Sequence, residues 1–297
     1  METTREPVPS SRPDPRVLDR VRGYLVLPHA VPIIVVLAAT AAFALVAAEG
    51  WPGTGTMVLL LGAMLGGQLA IGATNELVDV ELDAVARPDK PIPSGLVSLR
   101  GARTMAGFGT AMMVALVLPL GWDALSLCAL GTGAGVAYSL WFKRTVWSWV
   151  PYLVALPLLP IWVWAVIDRV PPGLFAIYPI GAAAIVAVQI AQSLPDVATD
   201  RDNGVRTLAV VLGERRALWA CRGAVGVAAV VAVALAPWLT GRPLPVVVGA
   251  GLAITLVAAN AVHARYDHPA AIRSCFPVVA PAVVALGIGW AVALVSG

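Results

Sequence analysis

Apolar residues along this chain neither alternate as in a strand nor keep to one helical face; they run on. Such runs recur near 25–48, 56–78, 104–121, 124–142, 147–167, 173–194, 217–239, 244–264 and 274–295. About 20 apolar residues suffice for a helix to cross the hydrocarbon core of a bilayer. A soluble helical protein would keep a polar face on its surface helices, and these runs mostly lack one. The pattern predicts an all-α integral membrane protein, a nine-transmembrane-helix bundle. Residues 1–22 are polar and rich in proline. They read as a cytoplasmic tail, with 23–297 forming a single transmembrane domain. The first apolar run is too long for the h-region of a cleaved signal.

Composition agrees: 59% of the 297 residues are hydrophobic and 12% are charged, against roughly 25% charged in an ordinary soluble domain. All of the 20 Lys and Arg except Arg169 and Arg242 fall on the tail or on alternate connections on the same side as the tail. The positive-inside rule then puts the N-terminus in the cytoplasm and, after nine crossings, the C-terminus outside the plasma membrane. The net charge of +3 needs no nucleic acid to explain it. Trp51, Trp122, Trp238 and Trp290 lie near expected outer ends, and Trp141, Trp147, Trp149 and Trp219 near inner ends, as in an interfacial aromatic belt. Cys128, Cys221 and Cys275 lack metal-ligand spacing and read as small packing residues.

Two connections on the cytoplasmic side, about 79–103 and 195–216, are long, and both open on acidic clusters. Asn75, Asp79 and Asp83 stand at i, i+4 and i+8, one face of a helix, with Glu76 flanking them. Gln192, Asp196 and Asp200 repeat that spacing, and Gln189 extends it into the membrane. Each cluster is followed by a basic residue, a short turn and a glycine, and the clusters follow spans 2 and 6, which suggests two four-helix halves plus a ninth helix, with a site between the halves. A stripe of carboxylates repels itself, and an ionised Asp near the bilayer centre costs about 2.5–3.5 kcal/mol on insertion scales. Two facing stripes call for cations. The donors are all oxygens, which suits Mg²⁺ bridging carboxylates to a phosphorylated substrate. Solvated loop charge is the plainer alternative for any single Asp, and a secondary transporter with intramembrane ion-binding carboxylates is a rival from another class.

The motifs are similar to those of the UbiA superfamily of intramembrane prenyltransferases. "NELVDVELD" with "RPDKPIPSG" resembles its first acidic motif, with Glu76 in place of the usual Asp. "DVATDRDNGVRTLAVVLG" resembles its second, and "YSLWFKR", Tyr138 to Arg144, resembles its Tyr–Lys–Arg element. The resemblance implies a helical bundle around a central cavity, with Mg²⁺ held there by Asn75, Asp79, Asp83, Asp196 and Asp200. It implies an isoprenyl diphosphate contacted by Lys143, Arg144 and Arg206, with Arg87 and Lys90 as further contacts. Asp79, Asp196, Tyr138 and Lys143 would carry the chemistry, with the Tyr138 ring facing an allylic cation. Glu76, Gln192 and His29 are possible additions. His29 would either line the acceptor pocket or pack at the interface, while His263 and His268 lie at the surface. Donor chain length would depend on which small residues, such as Gly62, Gly66 or Gly135, line the channel for the isoprenyl tail. The implied acceptor is an aromatic or quinone precursor or a lipid-like alcohol; cyclisation without an acceptor is the alternative chemistry. Leu27 precedes Pro28 where members using 4-hydroxybenzoate commonly carry a basic residue, which argues against that acceptor.

Overall fold

Prolines and glycines set the helix ends. The computed structural model describes residues 17–167 and 170–295. Helix α1, Val17–Val26, stops ahead of Pro28, and His29 adopts a left-handed conformation (φ 60) that turns the chain into α2, Ala30–Ala47. Gly53 leads into α3, Thr54–Ala86, a helix of 33 residues. It ends where Arg87 meets Pro88, since the residue before a proline is driven out of helical geometry. Ser98 restarts the chain as α4, Leu99–Val117, its Oγ accepting the Gly101 N–H at 3.0 Å. Then come α5, Trp122–Ala137, and α6, Val150–Ile167. Beyond them lie α7, Ile177–Ser193, and the short helices α8, Val197–Asp202, and α9, Leu208–Leu212. The chain closes with α10, Glu214–Leu239, α11, Leu244–Tyr266, α12, His268–Arg273, and α13, Cys275–Val295.

Nine helical stretches among the described residues are long and apolar enough to span a membrane. The multi-pass, all-helical expectation is borne out. Helix pairing repeats with a four-span offset: α3 packs on α4 as α7 packs on α10, and α5 packs on α6 as α11 packs on α13. The tail expected over 1–22 falls mostly outside the described residues, as does Arg169. Its last residues belong to α1, whose Gly23 fits against Leu96 and Val97 of the loop after α3.

Several details differ from the sequence reading. The first span begins at Ala30 rather than near 25, because Pro28 and His29 break the helix. The two long loops are shorter than expected. Helix α3 carries its acidic residues to Ala86, and the second connection is largely coiled into α8 and α9. Trp290 is not interfacial; it is buried, and its Nε1–H donates to Gly173 O at 3.0 Å. Gly62, Gly66 and Gly135 each face a neighbouring helix. A Cβ at Gly66 would stand 2.6 Å from Met113 N and 2.7 Å from Gly109 O, one at Gly62 would meet Leu116, and one at Gly135 would meet Ile71. These glycines let helices approach closely, the usual role of small residues where lipid offers no hydrophobic drive. Gly249 and Gly289 do the same for α11 on α13. The three cysteines are buried and free.

Gly66→Leu therefore wedges α3 from α4. The expected cost is about 2 kcal/mol or more from overpacking, read as a lower Tm in detergent. Gly107→Ala on α4, where a Cβ meets nothing within 4 Å, leaves Tm unchanged within error.

Candidate active site

The last third of α3 holds the densest charge in the bundle. Glu76, Asp79 and Asp83 are almost fully buried, at 2%, 7% and 5% exposure. Buried carboxylates need partners, and the structure supplies them from two directions. Lys90, in the proline-rich loop immediately after α3, reaches back to Glu76 Oε1 at 2.7 Å and Asp83 Oδ2 at 2.8 Å. Lys143, at the end of the fourth span, donates to Asn75 Oδ1 at 2.5 Å and to Asp79 Oδ2. Arg144 adds a bond to the other Asp79 oxygen, Oδ1, at 3.2 Å. The residues expected on one face are thus sorted into two pairs, each gathered around one ammonium.

Helical spacing explains the sorting. Asn75 and Asp79 are i, i+4 and share Lys143; Glu76 and Asp83 are i, i+7 and share Lys90. Glu76 has a second partner, His29, whose Nε2 lies 3.0 Å from Oε1. The turn bearing His29 can approach because a Cβ at Gly72, one turn earlier on α3, would collide with Pro28 backbone atoms at 2.7 Å. Burial works against the Lys90 ammonium, but hydrogen bonds and charge from Asp83 and Glu76 outweigh it and hold its pKa above the ordinary lysine value.

Lys143 owes its position to a local departure from α geometry. Tyr138–Phe142 forms one wide π turn closing α5, and the Lys143 N–H donates to Tyr138 O, five residues back, at 2.8 Å. Such insertions often mark functional sites. Here the turn brings Lys143 and Arg144 round toward α3.

The second acidic motif faces the same cations. Asp196 is exposed and Asp200 half-buried on α8. Asp200 lies within electrostatic range of Lys143 and of Arg87, and both Asp79 and Asp200 act on Tyr138. The two motifs are tied through the backbone as well, since Arg206 N–H donates to Arg144 O at 3.1 Å. Arg87, Arg144 and Arg206 are exposed. Asp196 and Asp200 make no ion pair among the described residues, unlike the carboxylates of α3.

A polar aromatic cluster lies beside these groups. Tyr138 meets Tyr152 edge-on with ring centroids 5.1 Å apart, and the Tyr152 hydroxyl donates to Gln192 Oε1 at 3.0 Å. Gln189 donates to Ser148 Oγ at 2.9 Å while its own carbonyl oxygen is buried without a partner. Sequence reasoning missed Tyr152 and Ser148. The available signal was a phenol inside an otherwise apolar span, since a buried hydroxyl must find a partner.

The donor set fits a hard divalent cation in kind: amide and carboxylate oxygens from α3 and α8, with the Lys143 ammonium already seated between Asn75 and Asp79. Among the described residues no three Asp, Glu, His or Cys side chains converge as a ready metal cage, so a metal shared between the motifs requires Lys143 to give way. Glu76 is held by Lys90 and His29, which makes it an anchor for the flanking segments. Glu76→Gln removes that charge and leaves Lys90 partly uncompensated. The expected loss is on the order of 3 kcal/mol, seen as a lower Tm, with Glu76→Asp falling between; an unchanged Tm in Glu76→Gln removes the anchoring role.

Known proteins carry the same plan. The model of the UbiA prenyltransferase family matches residues 35–279. The digeranylgeranylglyceryl phosphate synthase of Natronomonas pharaonis is 34% identical over 182 residues, 60% of this chain and 61% of that protein. The chain thus aligns with less than two thirds of that relative's length. The bacteriochlorophyll synthase 33 kDa chain of Cereibacter sphaeroides is 34% identical over 220 residues, 69% of each. A solved UbiA homolog from Archaeoglobus fulgidus bound to GPP and Mg²⁺ shares the fold with a TM-score of 0.69 at 18% identity, covering 93% of this chain and 100% of that one. With the family model matching residues 35–279, this chain belongs to the UbiA prenyltransferase family.

Proposed function

We propose that this protein is a Mg²⁺-dependent intramembrane prenyltransferase. It moves an isoprenyl group from an isoprenyl diphosphate to an apolar acceptor, either an aromatic or quinone precursor or a lipid-like alcohol. The observation that carries the reading is the position of Lys143, bonded to Asn75 and Asp79 on α3 and within electrostatic range of Asp200 on α8. One cation in reach of both acidic motifs is what a diphosphate with its counter-ions needs.

Asn75, Asp79, Asp83, Asp196 and Asp200 are the residues that would hold Mg²⁺, which when bound neutralises charge building on the departing diphosphate. Lys143, Arg144 and Arg206 bind the diphosphate oxygens by charge-assisted hydrogen bonds, and Arg87 closes the same side. Lys90 stays on Glu76 and Asp83 and reaches the phosphates only by leaving them. The allylic C–O bond breaks and its electron pair leaves with the diphosphate. The apolar bundle keeps water from the resulting cation. The Tyr138 ring, steadied by Tyr152, faces that cation, an interaction of about 1–2 kcal/mol when desolvated. The acceptor then attacks the carbon and loses a proton.

Two relatives bear the name digeranylgeranylglyceryl phosphate synthase or bacteriochlorophyll synthase, and the Archaeoglobus homolog was solved with GPP and Mg²⁺. These support transfer to an acceptor over cyclisation. The acidic groups sit at helix ends beside arginines rather than at mid-membrane, which favours phosphate chemistry over ion transport. The basic connections favour a cytoplasmic N-terminus, an external C-terminus and the plasma membrane as the site of action, with residues 1–22 as tail and 23–297 as one catalytic domain.

Purified protein given geranyl, farnesyl or geranylgeranyl diphosphate with a membrane extract as acceptor source is expected to release diphosphate only with Mg²⁺, and mass analysis should find a prenylated product. Asp79→Asn and Asp196→Asn each lower turnover by roughly 10²-fold or more in protein that still folds. Lys143→Ala weakens apparent diphosphate affinity about tenfold or more. Near-normal turnover in both aspartate variants, or a cyclised hydrocarbon as the sole product, contradicts the reading.

A further inference from the structure

A second cluster of cations, sharing no residue with the acidic motifs, lies where α10, α11 and α12 meet. Arg215, Trp219 and Arg222 of α10, Ala264 and Arg265 of α11, and His268 of α12 line a cavity of about 200 Å³ with no acidic residue in its wall. That is small beside the roughly 300–1,000 Å³ of a drug-sized site. Its size suits a headgroup rather than a whole amphiphile.

The site is built rather than incidental. Arg222 is 8% exposed. Its Nε and Nη2 bond Asn260 Oδ1 at 3.2 and 2.8 Å, and Nη2 also reaches Asn260 O at 3.1 Å. Asn260 in turn donates to Ala271 O and Ser274 Oγ, both at 3.1 Å, locking α10, α11 and the α12 turn together. The indole of Trp219 stacks on the Arg222 guanidinium at 5.7 Å. Every polar partner of Arg222 is neutral. The nearest acids in sequence do not serve: Asp267 accepts from Ala270 N–H at 2.9 Å as the cap of α12, and Glu214 forms no ion pair among the described residues. A buried guanidinium with neutral partners, joined by two exposed arginines and a histidine, offers an anion charge-assisted hydrogen bonds.

Position says which anion. Trp219 is 64% exposed, at the level where tryptophan marks the membrane interface. From it, an exposed stripe of small and branched residues, Gly223, Val227 and Val230, runs along α10 toward the opposite end. A phosphate in the pocket would have its ester substituents laid on that stripe. Basic pockets between transmembrane helices hold anionic lipid headgroups in this way.

We propose that the α10–α11–α12 pocket binds the phosphate of an anionic phospholipid, separately from the diphosphate site. Native mass spectrometry of the full-length protein in detergent, with phosphatidylglycerol and phosphatidylcholine of matched chains, tests it. The expected result is preferential retention of phosphatidylglycerol, falling about fivefold for each arginine removed in Arg215→Gln and Arg265→Gln. Both side chains are exposed, so the variants keep their fold, as an unchanged Tm without lipid verifies. Lys143→Ala retains the full preference, which separates this pocket from the diphosphate site. Equal retention of the two lipids, or a preference that survives in the double arginine variant, overturns the proposal. If glycerol phosphate at equal concentration raises Tm as much as phosphatidylglycerol does, the pocket takes free phosphate esters and the lipid assignment fails.

Discussion

The structure turns on neutralising negative charge at the end of an apolar helix. Three carboxylates of α3, Glu76, Asp79 and Asp83, lie buried within eight residues of one another. Each has lost its water, and each repels the others along the helix. Two lysines resolve this. One comes from the loop directly after the helix and the other from the end of the fourth span. The His29 turn, the proline-rich loop and the π turn at Tyr138 are arranged around those two ion-pair centres. Take the lysines away and α3 has no reason to stay helical to Ala86 inside the bundle.

The same neutralisation creates an asymmetry that chemistry can use. Glu76, Asp79 and Asp83 are satisfied internally, whereas Asp196 and Asp200 make no ion pair among the described residues, and Asp200 lies within electrostatic range of Lys143 and Arg87. A phosphorylated substrate with its divalent cations brings both signs of charge at once. On the proposed reading Lys143 would leave Asp79 for phosphate, and the Asp79 and Asn75 oxygens would then be free to hold the metal, so the resting ion pairs would be exchanged rather than lost. Tyr138 and Tyr152 stand next to that exchange, where the bundle turns apolar.

Much of this was legible in the residues, and the limits are physical. Run length alone marks nine spans, because the bilayer fixes how many apolar residues a helix needs. The i, i+4, i+8 spacing placed Asn75, Asp79 and Asp83 near one another, and the Tyr138–Arg144 stretch proved to sit against them. Spacing along one helix says nothing about which cation from elsewhere will take which acid, so the division between Lys90 and Lys143 stayed hidden, as did the engagement of His29 with Glu76. The π turn left no trace in hydropathy. The sequence leaves the roles of Gly66 and Gly135 open because a small residue leaves room equally for a ligand tail and for a neighbouring helix, and only the packing of α4 and of Ile71 decides. Trp290 has the sequence position of a belt residue, but its indole bonds Gly173 inside the core.

Convergence of both acidic motifs on one diphosphate is the central claim. It is tested most directly by pulsed electron paramagnetic resonance with Mn²⁺ in place of Mg²⁺ and a non-hydrolysable isoprenyl diphosphonate. The account predicts phosphorus hyperfine coupling to the bound Mn²⁺ that disappears when either motif is cut, in Asp79→Asn and in Asp200→Asn alike. Coupling that persists undiminished in one of those variants would mean that a single motif holds the metal and the diphosphate, and the account would be wrong.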